Sequence, residues 1–146
     1  MDDHATRNKC VFCKIADGSQ QSELVHTDDE FVAFCDLRPA AAHHLLVIPR
    51  QHVASASVLT PQHKPMVEQM VALARQLVHE RGVKEEEELR LGFHWPPFTS
   101  IQHLHLHAIA PVSQLGFISR IIFRPNSYWF VSPETVLRKL EKDSAS

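Results

Sequence analysis

Residues 103–109 read His-Leu-His-Leu-His-Ala-Ile. On a β-strand successive side chains point to opposite faces, so His103, His105 and His107 share one face while Leu104, Leu106 and Ala108 take the other. The apolar face belongs to a core and the other is a row of imidazoles. Neighbours two apart on a strand are ~7 Å from each other, close enough for one phosphate group to meet two of them. A surface strand normally mixes polar types, and strict histidine at every second position is not the product of drift. Zinc on this row is disfavoured, because parallel imidazoles do not converge on one point as tetrahedral coordination requires. Imidazole chemistry remains: a neutral ring is a nucleophile towards phosphorus, and its neighbours can orient it, hold oxygens and relay protons near neutral pH.

Working outward, the strand is expected to run from Ser100 to Ala110, after a breaker at Pro96-Pro97 and an earlier strand from Leu89 to Trp95. Upstream, Glu23–Asp28 and Glu30–Cys35 read as strands joined by a tight turn at Asp28-Asp29, and His43–Pro49 as a third strand buried on both faces. Val67, Met70, Val71, Ala74, Leu77 and Val78 recur at helical spacing, with Thr60-Pro61 as a start and Gly82 as a stop. One main helix is therefore predicted over 61–81, its regular part beginning near Pro65, whose ring opposes the residue 61 carbonyl. Ser132-Pro133 opens a short terminal helix. The fold class is α+β: an antiparallel sheet with one main helix. A flexible tail is expected at 1–9 and a single domain over 10–146.

A chain of 146 residues has room for one catalytic or binding module. Its 44% apolar and 22% charged residues match soluble globular composition, and no apolar run is long enough for a membrane span. The polar start lacks the apolar segment of a signal peptide, so a cytoplasmic or nuclear protein is expected. The four glycines are far apart, which excludes a phosphate loop or a dinucleotide fingerprint. A net charge of -2 lacks the basic excess of a nucleic-acid binder and favours a small substrate. Three cysteines are too few for a disulfide scaffold, although Cys10-x-x-Cys13 has the spacing of half a zinc site.

The segment HLHLHAI resembles the signature of the histidine triad superfamily of nucleotide hydrolases and transferases. FVAFCDLRPAAAHHLLVIPRQH (Phe31 to His52) resembles that superfamily's nucleoside-pocket segment, and CVFCKI (Cys10 to Ile15) its opening; the match covers about residues 10–112. The closest look is to the phosphoramidase-like branch. The resemblance implies a histidine-triad-like fold and a hydrolase of purine nucleoside 5'-monophosphoramidates, adenosine-based, acting through a nucleotidyl-histidine. It makes His105 the nucleophile, with His103 orienting it and His107 holding a non-bridging phosphate oxygen. Asp36 would accept from the ribose hydroxyls, with Leu37 against sugar and base. Ser100 would donate towards the leaving group, and His44 matches a fourth active-site histidine. Leu106, between His105 and His107, falls in the nucleotide-binding set.

No cofactor is required by this reading. Some relatives bind a structural zinc through a cysteine pair with residues matching His44 and His103, so Cys10, Cys13, His44 and His103 form the candidate set. The resemblance also implies a homodimer or higher homo-oligomer. The stretch His94–Thr99 departs from the branch, which has an Asn and a glycine-rich loop there, and leaves the leaving-group pocket open to question. Competing readings are a dinucleoside polyphosphate or DNA-adenylate hydrolase, and a module that senses nucleotide without turning it over.

Overall fold

A computed structural model describes residues 9–145; of the expected tail at 1–9, residues 1–8 lie outside them. The elements are α1 (Val11–Asp17), β1 (Leu24–Thr27), β2 (Phe31–Cys35), β3 (His43–Pro49), α2 (Lys64–Glu80), β4 (Arg90–His94), β5 (Leu106–Ala110), α3 (Phe117–Ile122), β6 (Phe130–Val131) and α4 (Pro133–Ala145). Six strands form one antiparallel sheet in the order β1-β2-β3-β5-β4-β6. The α+β expectation holds.

The β1–β2 turn forms where Asp28 stands, because its carboxylate accepts the N–H groups of Glu30 and Phe31, each at 2.7 Å. Alternation then sorts β3: Leu45 and Val47 join the core under α2, while Leu46 and Ile48 join a second core under α1 with Phe12 and Ile15. All six periodic residues of α2 are buried. The helix begins at Lys64 after a single tight turn over Pro61–His63, as Pro65 dictates, with Thr60 and His63 closing a capping box. Val136 and Leu140 of α4 pack into the same core.

Two expectations change. The long strand over 100–110 is ladder-paired only from Leu106. The β3–β5 register pairs Val47 with Leu106, so Leu104 would face Pro49, whose missing N–H leaves the Leu104 carbonyl without a ladder donor. The Leu104 N–H goes to the Val53 carbonyl at 2.6 Å. Two helices, α1 and α3, appear where none was expected; six or seven residues carry too little periodicity to be read. Among the described residues no helix is long and apolar enough to cross a membrane.

Candidate active site

The sheet face opposite α2 carries the histidines. His44 on β3 and His107 on β5 project to this side from adjacent strands, their Nε2 and Nδ1 atoms 2.9 Å apart. His105 stands just before β5, its Nδ1 2.7 Å from the His103 carbonyl and its ring centroid 5.0 Å from that of His107. A carbonyl only accepts, so Nδ1 carries the His105 proton and Nε2 keeps its lone pair. Burial depresses the basicity of His44, His105 and His107, the last well below the ordinary histidine value. The nucleophile candidate is therefore a neutral ring at neutral pH.

An open cleft of about 210 Å³ lies before these rings. Asp36, Leu37, Ser100, His105 and His107 all line it, so five residues singled out in the sequence meet around one cavity. Its apolar wall is Phe12 and Ile15 of α1 with Phe34, Leu46 and Ile101. Leu37 is almost fully exposed at the mouth. Asp36 accepts the Arg38 N–H at 2.8 Å, and its other oxygen lies 3.4 Å from His44 Nε2. His44 stands behind His107, with its Nδ1 accepting the Ala40 N–H at 3.0 Å.

Three placements differ from expectation. His103 meets His105 through its backbone carbonyl, while its imidazole is buried between the Pro49 carbonyl (2.9 Å) and the sulfurs of Cys10 and Cys13 (3.3 and 3.4 Å). With residues 101–105 out of the ladder, alternation no longer governs where the ring points. The side chain of Leu106 lies in the core beneath α2, away from the cleft. The candidate metal set exchanges one member: Cys10, Cys13, His52 and His103 bring their donor atoms within 4.8 Å of one another, and His44 is not among them. His44 lies five residues before Pro49 on β3, roughly 17 Å along the strand, whereas His52 follows the strand end at which His103 is anchored.

The four donors suit a closed tetrahedral site. Sulfur to Nδ1 separations of 3.3 to 3.4 Å approach the edge of a tetrahedron with zinc bonds of about 2.3 Å to sulfur and about 2.1 Å to nitrogen. None of the three cysteines is in a disulfide. Asp36, His44 and His107 also converge. There, however, the short His44–His107 hydrogen bond occupies the facing nitrogens.

Sequence reasoning missed His52, His94 and the α1 wall. His94 on β4 has its Nδ1 3.3 Å from His107 Nε2 and its own Nε2 3.1 Å from the Ile122 carbonyl. Strand parity held the signal: Gly92 pairs with His107, and two residues further on the same face is His94.

The fold and this histidine-lined cleft define a class, and comparison with known proteins names it. Residues 9–122 match the family model described as scavenger mRNA decapping enzyme C-term binding. The adenosine 5'-monophosphoramidase HINT3 of Xenopus tropicalis is 45% identical over 139 residues, covering 94% of this chain and 91% of the relative. The bifunctional adenosine 5'-phosphosulfate phosphorylase/adenylylsulfatase HINT4 of Arabidopsis thaliana is 38% identical over 140 residues, 90% of each chain. A crystal structure of a HIT family hydrolase from Legionella pneumophila superposes with a TM-score of 0.67 at 32% identity, covering 70% of this chain and 92% of that one. The chain belongs to the histidine triad superfamily.

Proposed function

We propose that this protein is a hydrolase of purine nucleoside 5'-monophosphoramidates, adenosine before others, and that His105 carries the nucleotide between two displacements. The observation that carries the mechanism is the His105 Nδ1–H donated to the His103 carbonyl, which leaves the Nε2 lone pair on a ring lining the cleft. Nε2 attacks the α-phosphorus, the P–N bond breaks, and the leaving nitrogen takes a proton from solvent through the Ser100 hydroxyl and departs as the amine, leaving a nucleotidyl-imidazolium. Its positive charge is shared with Nδ1, where the hydrogen bond to the carbonyl strengthens as the charge grows. Water then attacks the same phosphorus, its proton passes to solvent, the P–N bond to the ring breaks, and the neutral ring returns.

The surrounding residues divide the work. His107 donates to a non-bridging oxygen. Asp36, with one oxygen engaged by Arg38, offers the other to the ribose hydroxyls, and Leu37 covers sugar and base. Ser100, on the cleft rim, directs its hydroxyl to the leaving nitrogen. The apolar wall built by Phe12, Ile15 and Ile101 receives the base. Adenylates with a good acyl or sulfate leaving group fit the same attack, in keeping with the adenylylsulfatase named among the relatives.

Cys10, Cys13, His52 and His103 would hold zinc. Four protein ligands leave no open position, so such an ion is structural: it ties α1, which builds the cleft wall, to the segment bearing His105. A homodimer in the cytoplasm or nucleus completes the reading. Mass spectrometry after rapid base quench should find one nucleotidyl unit on His105, and His105→Ala should keep AMP binding while losing turnover. Turnover by His105→Ala within a few-fold of the parent, or zinc-reversible loss of all activity in protein that stays folded, overturns the scheme.

A further inference from the structure

Hydrogen bonds at the two ends of a row of three imidazoles assign every proton in it. At one end the Ala40 N–H donates to His44 Nδ1, so the proton of a neutral His44 sits on Nε2. His44 Nε2 then donates across 2.9 Å to His107 Nδ1, which places the His107 proton on its own Nε2. At the other end His94 Nε2 faces the Ile122 carbonyl, which only accepts; Nε2 therefore donates and Nδ1 keeps the lone pair. The two deductions meet without conflict, with His107 Nε2–H aimed at the lone pair of His94 Nδ1 over 3.3 Å. A second proton on any ring would set two N–H groups head to head or leave one facing the Ala40 N–H. Burial acts the same way, depressing the basicity of all three rings.

The far end of the row is anchored. The carbonyls that close α3 are held by side chains of neighbouring elements: Trp129 donates to Ile121 at 2.7 Å, and Arg90 to Phe123 at 3.3 Å. The His94 ring is wedged between Phe123 and Phe130, with centroids 5.3 and 5.1 Å away.

We propose that His94 is a positioning residue for the reaction: its Nδ1 accepts the Nε2–H of His107 and keeps that proton on Nε2, in one direction, until a non-bridging phosphate oxygen replaces it as acceptor. This rests on the phosphoryl-transfer reading above. In the free protein the hydrogen would otherwise be satisfied by water in varying directions, and binding would have to reorder it. His94 makes that ordering part of the fold.

Two variants separate this role from packing. Asparagine places an amide oxygen where His94 Nδ1 stands, whereas phenylalanine keeps a ring against Phe123 and Phe130 but accepts nothing. His94→Asn should keep kcat on an adenosine phosphoramidate within about threefold, and His94→Phe should lower it about tenfold with KM changed less, because the His107 N–H must then be ordered on the way to the transition state. The reverse order, with the Phe variant as active as the Asn variant or more so, overturns the proposal. Long-range 1H–15N spectra of the histidine-labelled wild-type protein give an answer that does not depend on how the variants fold. Neutral Nε2–H tautomers are expected at His44, His94 and His107, and a proton on His94 Nδ1 refutes the assignment. Absence of wild-type turnover would remove the proposed function, while the spectra would still decide the proton row.

Discussion

Gly92 lies in β4 opposite His107 of β5, and the space above it is taken by the ring of Phe130. A methyl group at this position would stand 2.9 Å from Phe130 Cδ2 and still closer to Cε2 and Cζ. Ordinary carbon contacts lie at about 3.5 to 4.0 Å, so the ring must retreat by roughly an ångström. It has nowhere easy to go: Phe130 is fully buried, 5.5 Å centroid to centroid from Phe123, 5.1 Å from His94 and 6.0 Å from His107. Overpacking of this kind costs about 1 to 3 kcal/mol, and a rigid aromatic among aromatics takes the upper end. For a chain of this size, about 3 kcal/mol lowers Tm by about 6 to 12 °C. Gly92→Ala should show that loss in a thermal melt followed by circular dichroism, with a fall in kcat because the displaced ring supports His94 and His107. Phe130→Leu makes room, so the double variant should be less destabilised than the sum of the single changes by about 1 kcal/mol or more. A Gly92→Ala melt within about 2 °C of the parent, or strictly additive effects, would refute the reasoning.

Metal analysis of the purified protein should find one zinc per chain; His52→Ala should lose it and His44→Ala should keep it, and retention by the His52 variant would reject the assigned ligand set. A chelator should lower Tm while leaving turnover intact at a temperature where the fold survives. Asp36→Ala should raise KM for ribonucleotides more than for 2'-deoxy or 3'-deoxy analogues, since the carboxylate acts only where hydroxyls are present; equal loss for both sugars assigns Asp36 a structural role. Stability should fall as pH drops below about 6.5. His44, His94 and His107 have depressed basicity in the fold, so the unfolded chain takes up protons first, and each contributes at most about 1.4 kcal/mol per pH unit until its folded value is reached. A urea midpoint at pH 5.5 equal to that at pH 8 would contradict this.

Much of the molecule follows from local rules that survive folding. Alternation along β3, the 3.6-residue period of α2 and the proline at residue 65 act over one or two turns of chain, and each produced the element its residues imply. The cleft residues Asp36, Leu37, Ser100, His105 and His107 were legible because a motif places them in sequence and the sheet brings their segments together. What the tertiary structure alone decided concerns direction at ends of elements. Pro49 denies the Leu104 carbonyl a ladder donor, the chain leaves the sheet, and the His103 ring swings to Cys10, Cys13 and His52 while its carbonyl meets His105. His94 becomes a partner of His107 only when the β4–β5 register is set, and its second bond goes to α3, a helix too short for its sequence to announce. A strand's periodicity states which face a side chain takes only while its backbone hydrogen bonds go to a neighbouring strand. Where they go elsewhere, only the folded chain says what each side chain meets.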